Sequence, residues 1–344
     1  MRRVHSPAGR AAAGLIAVTA EADLPSTGTL SLPSFEVRIA APDLGPYLAG
    51  NTGIPGFTRL TSPNPGPHAL ILALTHGNEI SGAIIVERLL RAAFRPARGT
   101  LTVGFVNLAA FSRFDPRLPT LSRFVDEDMN RVWDPAMLDG PRRSCELDRA
   151  RDIRPAIEAA DAVLDLHSML WPADPLVLCG PSEGGLHLAR RIGTAALIVS
   201  DRGHINGPRI IDQARFTGPA ATAAAILLES GQHWDEAAVT VAHRGVASFL
   251  RHLRMAGEDV ALPLPLPHPV QRHAMVTEAV VAATSHFCFT DAFRGGDVIA
   301  ERGCLIAMDG EVEIRTPHDD CLLVMPSLRP IRGHTAVRLA RFMP

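Results

Sequence analysis

Three residues at the polar ends of two apolar runs have side chains of the types that act as zinc ligands in proteins. His76 and Glu79 lie three positions apart after the run at 69–74, where a strand would pass into a helix. One backbone segment can therefore offer an imidazole and a carboxylate to one metal ion. His167, after the run at 162–166, is the best candidate for a third ligand. Two histidines and one carboxylate are typical of zinc sites that keep a position open for water.

Hydrolysis by a zinc-activated water also needs a carboxylate that takes a proton and returns it. Glu229 ends the apolar run at 224–228, and burial at such a position raises the pKa of a carboxyl group toward the useful range. The alternative interpretation is a glutamate that only caps the end of a strand. The sequence around Glu229 leaves both interpretations open.

A charged loop lies between the two candidate metal segments. Asn130 and Arg131 are candidates to bind a carboxylate or carbonyl of a substrate, and Arg123 supplies a further cation. Asp126 and Asp128 would then hold the arginines by charge-assisted hydrogen bonds. The alternative is an ordinary solvated loop.

Three other residues lie near these segments. Asp165 would share a strand face with His167 and could orient its ring, or it could simply be the polar end of a strand. Among the remaining histidines, His204 and His233 lie nearest to the candidate site segments.

The composition excludes several classes of chemistry. All 34 basic residues are arginine, so Schiff-base catalysis, pyridoxal phosphate attachment, a phosphate-loop lysine and biotinyl or lipoyl attachment are ruled out. A net charge of −2 gives no electrostatic reason to expect binding to nucleic acid or to an anionic membrane. Chemistry on a small molecule or a peptide is therefore favoured.

The cysteines and the N-terminal region bear on the compartment. Five widely spaced cysteines without a Cys-x-x-Cys pair indicate reduced thiols in a cytoplasmic protein. The apolar stretch at 11–20 is interpreted as a first strand, with an export signal as the alternative. No run approaches the roughly 20 apolar residues of a membrane span.

From residue 68 onward, strand-like and helix-like segments alternate, which predicts an α/β domain with a largely parallel sheet. Sites in such sheets lie at the carboxyl ends of strands, where the candidate residues fall. The predicted strands are 68–74, 100–108, 162–167, 176–179, 195–200 and 224–229, and the predicted helices are 80–94, 184–192 and 234–253.

The alternating prolines of 261–269 predict a semi-rigid linker, because proline removes hydrogen-bond donors and favours an extended chain. Short alternating runs separated by glycines follow it and predict a small all-β domain. The chain is thus divided into a catalytic domain at 1–260, the linker, and a β domain at 270–344.

Four segments in a fixed order carry a family resemblance: His76-Gly77-Asn78-Glu79, Asp128-Met129-Asn130-Arg131, Asp165-Leu166-His167-Ser168 and Glu229-Ser230-Gly231. The chain resembles the succinylglutamate desuccinylase and aspartoacylase family, within the zinc carboxypeptidase-like hydrolases, over roughly 66–250. Order and spacing together are far more specific than any one motif.

The resemblance implies a carboxypeptidase-like α/β/α sandwich with a mixed sheet and one zinc ion per chain, held by His76, Glu79 and His167. The C-terminal region resembles the barrel-sandwich fold, and it is expected to form a wall or lid at the mouth of the site. His273, His286 and His318 are the histidines of that region that could reach in.

The resemblance also implies roles for the polar residues. Glu229 would act as general base and then as general acid, Arg131 with Asn130 would orient the substrate, and Arg123 would polarise the scissile carbonyl. The family reaction converts an N-acyl amino acid to a carboxylate and a free amino acid.

The chain departs from the aspartoacylase pattern at two places. The arginine ten positions before the catalytic glutamate is replaced by Pro219, and Arg209 and Arg215 are the candidates to replace it. The only tyrosine is Tyr47, so a C-terminal pocket tyrosine has no counterpart. These departures bear on which acyl group and amino acid are accepted.

The favoured function is a zinc-dependent amidohydrolase acting on a small N-acyl amino acid or a similar carboxylate-bearing amide. The alternatives are a zinc carboxypeptidase acting on peptides and a metal-binding protein without turnover. The sequence leaves the oligomeric state open, including a homo-oligomer.

Overall fold

The computed structural model of the chain describes residues 2–4, 36–257 and 270–344. The expected strand at 11–20 and the proline-rich segment at 261–269 lie outside these residues. The described strands are, in chain order, β1 Arg3–Val4, β2 Phe57–Thr61, β3 His68–Ala73, β4 Thr100–Phe105, β5 Ala162–Met169, β6 Leu176–Leu178, β7 Leu197–Ser200, β8 Ala224–Gln232, β9 Arg272–Val281, β10 Phe287–Phe289, β11 Val298–Ile299, β12 Leu305–Asp309, β13 Val312–Arg315, β14 Cys321–Val324 and β15 Thr335–Phe342.

The described helices are α1 Ile80–Arg91, α2 Leu108–Phe111, α3 Pro135–Leu138, α4 Cys145–Glu158, α5 Glu183–Ile192, α6 Ala214–Thr217 and α7 Glu236–His252. Short 3-10 turns occur at Gly45–Tyr47, Pro119–Ser122, Met129–Arg131 and Ile210–Asp212. No helix among the described residues is both long and apolar enough to cross a membrane.

A large mixed sheet forms the centre of the fold, with strand order β1-β11-β14-β15-β9-β7-β6-β8-β5-β3-β4-β2. Strands β4, β3, β5 and β8 are mutually parallel neighbours, so their carboxyl ends meet at one edge of the sheet. Strand β5 is buried along its whole length, as expected for a central strand covered on both faces. The predicted α/β class is confirmed.

Helices cover both faces of this sheet. One apolar core joins the sheet to α1, α5 and α7, and a second joins its other face to α4. Helix α4 begins where the Ser144 hydroxyl accepts a hydrogen bond from the Leu147 N–H at 3.0 Å, which satisfies a donor of the first turn. The result is an α/β/α arrangement.

The C-terminal region is antiparallel β structure, as predicted, and it continues the central sheet. Strand β9 pairs in parallel with β7, and β15 and β14 follow it in antiparallel pairs. A small sheet of β10, β12 and β13 packs on these strands through a third apolar core. The division at 261–269 into two domains remains a prediction.

Candidate active site

The three candidate metal ligands lie together at the carboxyl edge of the sheet. His76 and Glu79 follow β3, and His167 lies in the neighbouring β5. The Nδ1 atoms of His76 and His167 lie 2.7 and 2.9 Å from the two carboxylate oxygens of Glu79. One ligand atom from each residue lies within 4.8 Å of the others, and all three residues are buried. This set of donors fits a zinc ion with an open position.

Each imidazole has an inner nitrogen, Nδ1, which faces Glu79, and an outer nitrogen, Nε2, which contacts a second carboxylate. His76 Nε2 lies 2.9 Å from Asp128 Oδ1, and His167 Nε2 lies 2.9 Å from Asp165 Oδ2. Thr75 Oγ1 in turn donates to Asp165 Oδ1 at 2.9 Å. Such partners fix the orientation of a ring and leave its other nitrogen directed at the metal position. The predicted contact between Asp165 and His167 is present.

The loop that carries His76 and Glu79 is fixed by close packing. Leu74 has a φ of 61°, a strained conformation for a branched residue. At Gly77 a Cβ atom would lie 2.5 Å from the carbonyl oxygen of Ser122, so only glycine fits there. The indole N–H of Trp234 donates to the Asn78 carbonyl at 3.1 Å.

Burial and the neighbouring imidazoles act in opposite directions on the pKa of the Glu79 carboxyl group. Burial opposes the charge of Glu79, but the imidazoles of His76 and His167 hold the pKa of its carboxyl well below the usual value. The Ser168 N–H also donates to Glu79 Oε2 at 3.0 Å. The anionic carboxylate between two imidazoles is what a divalent metal ion requires of its ligands.

Glu229 lies beside this cluster, at a position of β8 that pairs with His167. Its Oε2 atom is buried without a hydrogen-bond partner among the described residues. Burial raises the pKa of this carboxyl to about 8, and the nearby Glu79 carboxylate acts in the same direction. A carboxyl group of this kind can exchange a proton near neutral pH.

Arg123 reaches the metal cluster from the loop between the two metal segments. Its Nη1 donates to Glu79 Oε1 at 3.2 Å, and its Nη2 donates to Asp128 Oδ2 at 3.2 Å. Asp126 was expected to hold an arginine as well. That expectation is wrong, because Asp126 instead accepts a hydrogen bond from the Cys145 N–H at the start of α4.

The Asn130 side chain is largely used within the protein. Its Oδ1 accepts from the Ile210 N–H at 2.9 Å, and its Nδ2 lies 3.4 Å from His167 Nε2. Arg131 donates from Nη1 to the Asn130 carbonyl at 2.6 Å, and its Nη2 is 3.9 Å from Asp128. Arg131 therefore keeps donors for a ligand, whereas Asn130 mainly shapes the site.

Glu146 supports this loop and was not identified from the sequence. Its buried carboxylate accepts hydrogen bonds from the backbone N–H groups of Val125, Asp126 and Glu127 at 2.6, 2.9 and 3.2 Å. Asn107 Nδ2 donates to it at 3.0 Å. Acidic residues are common in the first turn of a helix, so the type and position of Glu146 gave no sign of this role in the sequence.

A cavity of about 610 Å³ opens beside the metal cluster. His76, Glu79, His167, Glu229, Arg123, Asn130 and Arg131 all line it, together with His204, Arg209 and His233. The C-terminal region supplies one wall, as predicted, through Gly295, Met325, Pro326, Ser327, Arg329, Ile331, Thr335 and Arg338.

The wall that the C-terminal region gives to the cavity contains none of the three histidines that were expected to reach into the site. His273 Nε2 lies 2.9 Å from the Ser200 hydroxyl, His318 Nε2 lies 3.2 Å from the Thr277 hydroxyl, and neither ring lines the cavity. His286 also lies outside the cavity lining. Of the two arginines considered as replacements at Pro219, Arg209 lines the cavity. Arg215 donates instead to the Ile157 and Ala160 carbonyls.

His233 supports the metal cluster from behind. Its Nδ1 lies 2.8 Å from the hydroxyl of Ser168, whose N–H bonds to Glu79. Burial lowers the pKa of His233 to about 3, so its ring is neutral at physiological pH.

The chain matches a family model described as the succinylglutamate desuccinylase/aspartoacylase catalytic domain over residues 65–253. It is also 28% identical over 104 residues to the zebrafish (Danio rerio) N-acyl-aromatic-L-amino acid amidohydrolase (carboxylate-forming) A. That match spans 27% of this chain and 30% of the zebrafish protein, so it covers less than a third of the relative.

Solved structures share the fold at low sequence identity. A succinylglutamate desuccinylase/aspartoacylase from Rhodobacter sphaeroides aligns with a TM-score of 0.59 and 19% identity, over 83% of this chain and 89% of that one. The succinylglutamate desuccinylase of Vibrio cholerae gives 0.61 and 16%, over 83% and 85%. The product-bound ectoine utilization protein of Ruegeria pomeroyi gives 0.57 and 18%, over 83% and 88%.

Proposed function

Because the chain belongs to the succinylglutamate desuccinylase/aspartoacylase family of deacylases, we propose that it is a zinc-dependent amidohydrolase. Its substrate is a small N-acyl amino acid or a similar carboxylate-bearing amide. One zinc ion per chain is held by His76, Glu79 and His167. The observation that carries the proposal is the buried cluster of these three residues with Glu229 in the same cavity.

A zinc ion at this position would act as a Lewis acid and lower the pKa of water toward neutrality. Glu229 takes a proton from the attacking water as the water oxygen bonds to the amide carbon. It then gives that proton to the amide nitrogen as the carbon–nitrogen bond breaks. The products are a carboxylate and a free amino acid. The raised pKa of Glu229 suits the return of the proton to the leaving nitrogen.

The arginines orient the substrate and stabilise charge. Arg123, held by Glu79 and Asp128, directs its guanidinium at the scissile carbonyl, where negative charge develops on the oxygen. Arg131 binds the substrate carboxylate, and Asn130 fixes the backbone around it. The roles proposed for Arg123 and Arg131 are those that the family resemblance implies, whereas Asn130 was expected to help orient the substrate and is instead proposed to shape the site.

A carboxypeptidase acting on peptides is the less favoured function. Segment 325–335 of the C-terminal region lines the mouth of the cavity, which favours a small substrate over an extended chain.

The described cysteines are all free, and on that basis we place the enzyme in the cytoplasm.

The substitution Glu229→Gln tests the proposal. It keeps the side-chain shape and removes the proton acceptor, so turnover should fall at least about a hundredfold while the zinc content stays that of the wild type. The measurement is amine released from acetyl, succinyl, formyl and aromatic acyl amides of several amino acids, with metal analysis of each sample. Glu236→Gln, at an exposed position in the same part of the chain, is the control. Retained activity in Glu229→Gln would contradict the assignment of the base.

A further inference from the structure

Arg338 is a buried cation in the wall that the C-terminal region gives to the cavity. It lies in β15, between the apolar residues Val337 and Leu339, and its exposed fraction is 8%. Its side chain lines the cavity. Within the described part of the chain, its guanidinium makes no hydrogen bond or direct ion pair. The carboxylates of Asp201 and Glu229 act on it only from a longer distance.

Arg209 is a second buried guanidinium beside the same cavity. Its exposed fraction is 2%, and the carboxylates of Asp201 and Asp212 bond to its Nε and Nη2 atoms. Its Nη1 atom has no hydrogen-bond partner among the described residues. Two buried guanidinium groups therefore line one cavity, and only that of Arg338 lacks a carboxylate partner among the described residues.

The surroundings of these groups carry a positive potential. Burial lowers the pKa of His204 to about 2, and the charges of Arg131, Arg338 and Arg209 add to this effect. Burial, followed by the charge of Arg209, also lowers the pKa of Arg338. Asp212 and the Oδ1 atom of Asp201 are engaged by Arg209, while the Oδ2 atom of Asp201 bonds neither to Arg338 nor to any other described residue.

A buried cation without a direct partner is costly to a fold, so stability does not account for Arg338. We propose that Arg338 binds the carboxylate of the substrate together with Arg131, which lines the same cavity, and that Arg338 is thereby a specificity-determining residue. Guanidinium groups bind carboxylates through paired charge-assisted hydrogen bonds, and they do so most strongly where water is excluded. This inference rests on the proposed function, because only that function makes the bound carboxylate part of a substrate.

A binding experiment tests the subsite without relying on turnover. Succinate is the probe and uncharged succinamide its control, each added at constant ionic strength to the full-length, zinc-loaded protein. Succinate should raise the melting temperature of the wild type by about 2 °C or more, and succinamide should not. Arg338→Met should lose this shift. Arg329→Met removes the same charge from the exposed mouth of the cavity, and it should keep the shift.

The stability of the ligand-free variant separates binding from a structural role. Methionine fills a similar volume without a charge, so Arg338→Met should melt at the same temperature as the wild type or higher. A marked loss of stability, an undiminished succinate shift in Arg338→Met, or no succinate shift in the wild type would each overturn the proposal.

Kinetics then distinguish the two proposals. With the best N-acyl amino acid of the panel, Arg338→Met should lower kcat/KM at least about thirtyfold, mainly through KM. With the carboxamide of the same compound, the variant and the wild type should differ little. Equal losses on acid and amide would overturn the subsite and leave the hydrolase standing. If succinate raises the melting temperature in an Arg338-dependent way but the protein hydrolyses no amide, the subsite is supported and the proposed hydrolase activity is contradicted.

Discussion

Each imidazole of the candidate metal site lies between two carboxylates. Glu79 faces the inner nitrogens of His76 and His167, while Asp128 and Asp165 face the outer ones. When a metal ion takes the inner nitrogens, the outer carboxylates accept the proton of the other nitrogen and so select the tautomer. The rings are thus oriented before any metal arrives, which reduces the cost of binding it.

Replacing Asp165 with asparagine should weaken zinc binding about 10- to 100-fold, because the amide cannot stabilise the His167 ring as a carboxylate does. Competition with a chromogenic chelator measures the affinity. Asp161→Asn is a matched control, since Asp161 precedes the same strand and accepts a hydrogen bond from the His68 N–H far from the metal cluster. An affinity equal to that of the wild type would remove Asp165 from the proposed site.

The residues that the sequence could identify are those that lie in short motifs. His76 and Glu79 share one loop, and Asp165 and His167 share one strand face, so local spacing predicted their association. Arg338 has no such spacing, because it reaches the cavity only through strand pairing. Its one local signal is a charge that interrupts the apolar residues at 336–340 of β15.

At the scale of elements, one helix terminus fixes one catalytic loop. The first turn of α4 places Glu146 under the loop that bears Arg123, Asn130 and Arg131, and its two oxygens accept from three consecutive backbone N–H groups. A buried acceptor shared in this way leaves several donors unsatisfied when it is lost. The position of the loop therefore depends on one carboxylate that does not itself line the cavity.

Glu146→Gln should lower kcat/KM about tenfold and the free energy of unfolding by about 1–3 kcal/mol, because the amide replaces one acceptor oxygen with a donor. Zinc content should not change, since the metal ligands are untouched. Steady-state kinetics, metal analysis and urea unfolding measure these quantities. Glu158→Gln, at the exposed end of the same helix, should match the wild type. Normal kinetics in a destabilised Glu146→Gln would show that the loop does not depend on this contact.

The strands β3 to β8 and the helices α1, α5 and α7 were predictable, because their apolar runs are bounded by polar residues or glycine. The strands β1, β2, β10 and β15 and the helices α2, α3, α4 and α6 were not predicted. Strand β15 is held by β9 on one side and β14 on the other. Its existence depends on partners that are distant in sequence, which local patterns do not reveal.

At the scale of the whole molecule, one sheet joins the C-terminal strands to the catalytic strands. Strand β9 pairs with β7 from Leu197 with Arg272 to Ser200 with Met275. Asn206 Nδ2 also donates to the Gly333 carbonyl at 2.8 Å, close to the mouth of the cavity. A continuous sheet and a shared cavity wall predict that the two regions unfold together, although the sequence suggests two domains.

The tryptophans allow a direct test of this coupling. All three, Trp133, Trp171 and Trp234, precede the C-terminal region, but Trp171 lines the cavity beside its wall. In a Trp171→Phe background the fluorescence comes from the buried Trp133 and Trp234 and reports on the catalytic region. Leu339 is fully buried in β15, and Leu339→Ala should destabilise the protein by about 3 kcal/mol. We expect the fluorescence and circular dichroism transitions to shift together by the same amount, while the exposed control Val312→Ala leaves both in place. If the fluorescence transition stays unchanged while circular dichroism shows an earlier one, the C-terminal region unfolds as a separate domain, because the fluorescence probes do not sense its loss.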